Sequence, residues 1–306
     1  MPAKAPRNKT IRLTKAETGR LAAKAVKLKK KAALEEIVNH IIWQDAFKAL
    51  DFLPDACVDL MIVDPPYNLT KNFGGSVFKE MKDDQYRKWL DKWLKKTVRV
   101  LKDNASVYIC ADWKTSIAVP YTAGKYFMLQ NRISWEREKG RGAKNNWKNC
   151  LEDIWFFTKG KDYKFNLDKV KILRPVIAPY RDGDGTPKDW FSSGSRKLRL
   201  THPSNIWTDI SVPFWSMSEN TDHPTQKPEK LMAKLILASS DEGDVVFDPF
   251  VGSGTTAVTA KKLNRRFIGI EKEKEYAALA LKRLEMADEN PQIQGLEDGV
   301  FKPRNM

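Results

Sequence analysis

Asp64-Pro65-Pro66-Tyr67 closes an apolar run, Val58-Asp59-Leu60-Met61-Ile62-Val63, and sets a carboxylate, a fixed carbonyl and an aromatic ring within four residues. Proline fixes φ and carries no N–H, so Pro66 holds the Pro65 carbonyl outward with no donor following it. The Asp64 carboxylate and that carbonyl form a pair of acceptors suited to the two hydrogens of an amino group on an aromatic ring. The lone pair of such a nitrogen is delocalised into the ring. Acceptors drawing on both hydrogens favour a pyramidal nitrogen, whose lone pair is then free for in-line attack on an electrophile such as a methyl sulfonium. Tyr67 adds a face on which the ring can stack. The plainer reading of Asp-Pro is a rigid turn with no chemistry.

A second group lies near the far end of the chain. Val245-Val246-Phe247-Asp248-Pro249-Phe250-Val251-Gly252-Ser253-Gly254-Thr255-Thr256-Ala257 reads as strand, glycine turn and helix. Gly252 and Gly254 can take positive φ and admit a ligand close to the backbone, and the free N–H groups of the helix favour a negative group. Glu271 ends the next apolar strand, nineteen residues beyond Gly252, where a carboxylate can accept both hydroxyls of a ribose. Together they suggest an adenosine-containing cofactor. The turn alone also satisfies the pattern of a nicotinamide oxidoreductase, whereas a P-loop is disfavoured because no Lys follows the glycines.

The elements that must position these groups alternate along the chain. His40–Trp43 and Val58–Val63 read as buried strands. From Asp84 to Leu101, Tyr86, Trp89, Leu90, Trp93, Leu94, Thr97 and Val98 recur at spacings of three and four, an amphipathic helix followed by a strand at Ser106–Cys110. Further strands fit Arg132–Trp135 and Asp153–Phe157. Regular alternation returns with a helix at Glu229–Ser239, a strand at Asp244–Phe247, a helix at Thr255–Leu263, a strand at Phe267–Ile270 and a helix at Lys274–Met286. Helices between short apolar strands predict a doubly wound, mostly parallel α/β sheet. The residues beyond Asn290-Pro291 read as frayed.

The 306 residues carry a formal charge of +15, suggesting a polyanionic partner, but the charge is uneven. Residues 1–31 hold eleven Lys/Arg against Glu17 alone, a net +10 that reads either as a solvated tail or as an arm gripping phosphates. No apolar stretch approaches the length that spans a bilayer and no secretory h-region follows the first basic residues, so a cytoplasmic protein without a membrane role is expected. Cys57, Cys110 and Cys150 lie far apart and are expected in the core. His40, His202 and His223 show no metal-ligand spacing, so neither a disulfide nor a metal is expected.

On Asp64-Pro65-Pro66-Tyr67 followed by Asp248-Pro249-Phe250-Val251-Gly252-Ser253-Gly254-Thr255-Thr256, the chain resembles the amino-methyltransferases of DNA restriction-modification and orphan methylation systems. The resemblance is to their permuted beta group, in which the catalytic half precedes the cofactor half, and it spans roughly residues 40 to 286. His223-Pro224-Thr225-Gln226-Lys227-Pro228 is a third matching element. The resemblance implies a Rossmann-like methyltransferase fold in permuted order, S-adenosylmethionine as cofactor with no metal, and an enzyme that flips its target base out of duplex DNA. It assigns catalysis to Asp64, Pro65, Pro66 and Tyr67. Cofactor binding falls to Asp45 (adenine), Asp64, Thr225 and Lys227 (methionine end), Asp248, Phe250, Gly252, Ser253, Gly254, Thr255 and Glu271. A first-position Asp is the form usual among adenine-N6 enzymes, whereas cytosine-N4 relatives more often carry Ser, so adenine is the expected target. The family often dimerises, and a cognate restriction endonuclease is a conceivable partner.

Residues 159–203 carry eleven Lys/Arg against five Asp, interleaved with Tyr163, Phe165, Tyr180, Trp190 and Phe191, a mix that suits phosphate contact and stacking or an ordinary lobe with its own small core. The resemblance makes this the target-recognition region, with Lys144, Arg174, Arg181, Arg196, Lys197 and Arg199 as candidate DNA contacts. Asn68–Phe78 and Gly140–Lys148 read as flexible stretches beside the pocket. The expected division is thus a basic tail at 1–35, a catalytic half at 36–158, the inserted recognition region at 159–222, a cofactor half at 223–288 and a C-terminal tail at 289–306. A nicotinamide oxidoreductase leaves Asp64-Pro65-Pro66-Tyr67 without a role, a catalytically dead DNA-binding protein leaves the intact acidic groups unexplained, and RNA or protein as substrate stays open.

Overall fold

The computed structural model describes residues 7–137, 145–177 and 179–304. Its main sheet has eight strands: β1 (His40–Trp43), β2 (Val58–Val63), β3 (Leu101–Asp112), β4 (Met128–Glu136), β5 (Leu151–Thr158), β6 (Ile206–Trp207), β7 (Val245–Asp248) and β8 (Arg266–Glu271). The order across the sheet is β1-β8-β7-β2-β3-β5-β4-β6. The five strands from β1 to β3 run parallel, β5 is antiparallel to both β3 and β4, and β6 is parallel to β4. This is the doubly wound, mostly parallel architecture expected from the alternation of elements.

Every residue of β2 is buried because both faces of the sheet are covered. Period-two alternation sends Met61 and Val63 into one core with Leu90, Trp93 and Leu94 of α2 (Asp83–Thr97), where α1 denotes Lys15–Ala22. Leu60 and Ile62 enter the other core, built on α3 (Glu229–Ser239), α4 (Thr255–Lys262) and α5 (Lys274–Glu289). Helix α2 ends four residues before the expected Leu101, since Leu101 already belongs to β3. Because β2 and β7 are direct neighbours, their ends bring Asp64 and Asp248 to one edge, and Trp43 of β1 pairs with Glu271 of β8 at the same edge.

Four expectations of loose or separate structure are corrected. The basic segment, where it is described, is packed rather than free. Helix α1 carries a Thr14/Glu17 capping box and buries Leu21 and Ala22 against Ala278 of α5, and Val26 exchanges backbone hydrogen bonds with Ile41 and Trp43 at the open edge of β1. The C-terminal residues are not frayed. Leu296–Glu297 and Val300–Phe301 form a hairpin in a second, five-stranded sheet with Ile172–Pro175, Arg196–Thr201 and Phe191–Ser193, and Phe301 is fully buried. The stretch 159–222 is not wholly separate from the main domain, because β6 joins the main sheet and Trp207, Ile210 and Val212 enter its core. Asn68–Phe78 folds as a hairpin, Lys71–Asn72 against Val77–Phe78, fastened by reciprocal Asn68–Met81 hydrogen bonds. Cys57 and Cys110 are buried as expected, whereas Cys150 is half-buried outside the core.

Candidate active site at the carboxyl edge of the sheet

A cavity of about 250 Å³ opens at the carboxyl ends of β1, β8, β7 and β2, where ligands of parallel sheets bind. It gathers Asp45, Asp64, Pro65, Pro66, Tyr67, Thr225, Lys227, Asp248, Phe250, Gly252, Ser253, Thr255 and Glu271, residues that the sequence places up to 226 positions apart. Gly254 is the exception among the expected cofactor residues. Its φ of +88° starts α4, and a Cβ there would lie 2.7 Å from the Ala280 Cβ, so it serves the close approach of α4 to α5 rather than the cavity. Gly252 does border the cavity, at φ +53° with the His223 ring filling the space beside it.

Glu271 accepts the Gly252 N–H at 3.0 Å and the Glu273 N–H at 2.8 Å, which aims its remaining lone pairs at the cavity. Asp248 is held likewise by the Phe250 N–H and the Thr256 hydroxyl. Burial pushes both acids up to about 7, and burial drives the His223 imidazole down to about 3, so this ring is neutral. Behind the glycine turn, the Arg283 guanidinium donates to the Ser253 carbonyl and the Thr255 hydroxyl and pairs with Glu229. The wall facing the turn is aromatic: Trp89 packs at 5.8 Å from Phe250 and 5.2 Å from Phe78, with Phe47 at 6.0 Å. Sequence reasoning read Trp89 only as a core position of its helix; nothing in the period of α2 separates a cavity wall from core.

Lys227 lines the cavity and also meets Asp64, a partner that the sequence did not suggest. Its ammonium donates to Asp64 Oδ2 at 2.6 Å and to the Tyr67 hydroxyl at 3.1 Å, and lies 3.1 Å from Glu152 Oε2. Exposure is 5% for Lys227, 5% for Glu152 and 15% for Asp64, so water screens these charges little. Burial works to lower the Lys227 pKa, but the Asp64 and Glu152 charges override it and keep the amine protonated. Burial raises the Asp64 pKa, Lys227 offsets part of that and Glu152 adds to it. The other oxygen, Asp64 Oδ1, is buried with no hydrogen-bond partner among the described residues. An unmatched buried acceptor costs free energy unless a donor arrives.

Comparison with known proteins decides the family. A family model described as DNA methylase, N6/N4 type, matches residues 58–282. The chain belongs to this DNA methylase family. It is similar to the type II methyltransferase M.HpaI of Haemophilus parainfluenzae, 37% identical over 253 residues covering 81% of this chain and 74% of the relative. DNA adenine methyltransferase YhdJ of Escherichia coli is 36% identical over 254 residues, covering 81% of this chain and 83% of the relative. Among solved structures, the putative DNA modification methylase TTHA0409 of Thermus thermophilus, complexed with S-adenosyl-L-methionine, superimposes with a TM-score of 0.55 at 22% identity over 87% of this chain and 98% of that one, a likeness of fold.

This DNA methylase thus joins Asp64-Pro65-Pro66-Tyr67 and its glycine turn on one edge, as the two motifs together imply. Glu152 and Arg137, which pairs with Glu152 at 2.6 Å, were not singled out from the sequence. A signal existed: period two puts Glu152 on the face of Ile154 and Phe156, so a charge was due to be buried there. Of the candidate DNA contacts, Lys144 lies outside the described residues. Arg174 pairs across strands with Arg199 in the second sheet, and Arg181 and Lys197 sit 5.0 and 5.1 Å from the Trp190 ring, with Arg196 exposed nearby. Trp190 is therefore buried beside these cations and not a free stacking surface, whereas Tyr180 and Phe191 are exposed. Among the described residues no His/Cys/Asp/Glu group could hold a metal, and no helix is long and apolar enough to cross a membrane.

Proposed function

We propose that this DNA methylase transfers the methyl group of S-adenosylmethionine to N6 of an adenine flipped out of duplex DNA. The observation that carries the reading is the unmatched Asp64 Oδ1, a buried acceptor at the end of β2 whose partner oxygen is already committed to Lys227. An exocyclic amine supplies the missing donor. The tetrapeptide geometry adds the Pro65 carbonyl as the second acceptor and Tyr67 as the stacking face, so the nitrogen lone pair is freed for attack. YhdJ, by its name an adenine methyltransferase, supports adenine.

The cavity fits the cofactor. Five carboxylates (Asp45, Asp64, Asp248, Glu271, Glu273) line it against three ammonium groups (Lys71, Lys227, Lys272), an acidic lining that suits a sulfonium cation. Glu271 would hold the ribose hydroxyls, Asp45 the adenine amine, Phe250 and Trp89 the adenine faces, and Thr225, Ser253, Thr255 and the Gly252 backbone the methionine end. Bound there, S-adenosylmethionine supplies an electrophilic methyl group. Arg174, Arg196, Lys197 and Arg199 on the second sheet, with Arg181 in the loop beside it, present their charges for phosphates, which position the duplex without reading bases.

The test is Asp64→Ala. Methyl incorporation into duplex DNA is expected to be lost while S-adenosylmethionine affinity, measured by calorimetry, stays near that of the unaltered protein. Near-normal turnover in the variant would overturn the assignment of Asp64 to the target amine.

A further inference from the structure

Glu152 lies outside the lining of the cavity, yet two of the residues it binds, Tyr67 and Lys227, line that cavity. Oε2 accepts from the Tyr67 hydroxyl at 3.1 Å and faces the Lys227 ammonium at 3.1 Å, while Oε1 pairs with Arg137. Burying such a cluster is costly, and apolar residues of the same volume would hold a fold as well. The position of Glu152 beside Asp64 and Tyr67 points to a chemical reason.

Charge balance during the reaction supplies one. When an aromatic amine nitrogen gains a methyl group it becomes cationic and still carries both hydrogens, while the product is a neutral secondary amine. One N–H bond must therefore break, leaving its electron pair on nitrogen, as an O–H bond forms on Asp64 Oδ1. That step neutralises Asp64, the nearest counter-ion of Lys227. Without a second carboxylate, Lys227 would be left as an unpaired buried cation, a strongly disfavoured state that opposes the transfer.

We infer that Glu152 is a positioning residue for methyl transfer: it serves as the standing counter-ion of Lys227, so that Asp64 can take up the amine proton, and it fixes the Tyr67 hydroxyl. The inference rests on Asp64 being the acceptor of that amine. The charged and titratable groups facing Asp64 are Lys227 and Lys71, Glu152 and Asp248, and Tyr67, Tyr86 and Cys110, with Arg137 beyond Glu152. Neutralising Glu152 leaves the cations of this set opposed by Asp248 alone, which makes Asp64 a weaker base.

The experiment compares the full chain with Glu152→Gln, Glu152→Asp and Asp64→Asn, measuring single-turnover methylation of duplex DNA against pH. Thermal melting and S-adenosylmethionine titration certify that each variant is folded. Glu152→Gln is expected to slow transfer on the order of 10- to 100-fold and to move the acidic limb of the rate profile about one unit lower, since Asp64 then loses its proton more readily. Glu152→Asp keeps the charge, so its limb stays at the wild-type pH although its rate falls. Cofactor affinity is expected to stay within about twofold, because Glu152 does not border the cavity. An unmoved limb in Glu152→Gln, or a limb displaced in Glu152→Asp, would overturn the inference and leave Glu152 a structural residue. Should Glu152→Gln fail to fold, the limb of Glu152→Asp decides alone. Asp64→Asn reports on the underlying reading separately: wild-type rates there would remove Asp64 from the reaction whatever Glu152 does.

Discussion

Single residues divide by whether their chemistry is local. Asp64 and Glu271 were legible because each ends an apolar strand and so must stand at the sheet edge, and the structure puts both in one cavity. Glu271→Ala is expected to weaken S-adenosylmethionine binding by about 1 to 3 kcal/mol, the scale of lost charged hydrogen bonds, as read by calorimetry. Affinity equal to that of the unaltered protein would put the ribose elsewhere. Lys227 was legible as a site residue but not as the partner of Asp64, since 163 positions separate them and only the packing of α3, which Lys227 precedes, against β2 brings them together. Glu152 escaped for the same reason: its partners come from three other places in the chain, and a strand pattern says that a charge is buried without saying beside what.

Elements were read well where a period was sustained. Strands β1 and β2 coincide with their expected bounds, and α3 does too, because apolar runs with sharp ends leave the backbone few alternatives. Segments with strong charge were read poorly, as composition suggests solvent while a few apolar residues among the charges decide the packing. In the basic segment those residues are Leu21, Ala22 and Leu28, with Val26 closing the edge of β1. Deleting residues 1–31 is therefore expected to lower stability by about 2 to 4 kcal/mol, from the apolar area returned to water, in urea denaturation followed by circular dichroism. An unchanged midpoint would mean that this segment contributes nothing to the fold. The C-terminal hairpin went unread for a related cause, since its two-residue strands carry no period of their own and are ordered by Ile172 and the α3 face.

Across the whole molecule, charge is sorted. The protein is basic by +15, yet its cavity is lined by more carboxylates than ammonium groups. The outside therefore suits a polyanion and the inside a cation, and part of the basic segment is spent internally, with Arg12 on Asp222 and Lys24 on Glu285. On the proposed reading the same division serves the two substrates of one reaction, with the basic second sheet toward duplex DNA and the acidic cavity at the edge of the main sheet toward the cationic cofactor. The exocyclic amines of adenine and cytosine present the same two hydrogens, so the base that receives the methyl group is the most direct test of the account. The deciding measurement is made on duplex DNA incubated with the protein and S-adenosylmethionine, digested to nucleosides and resolved by mass spectrometry. N6-methyladenine is the expected product, and N4-methylcytosine in its place would contradict the account.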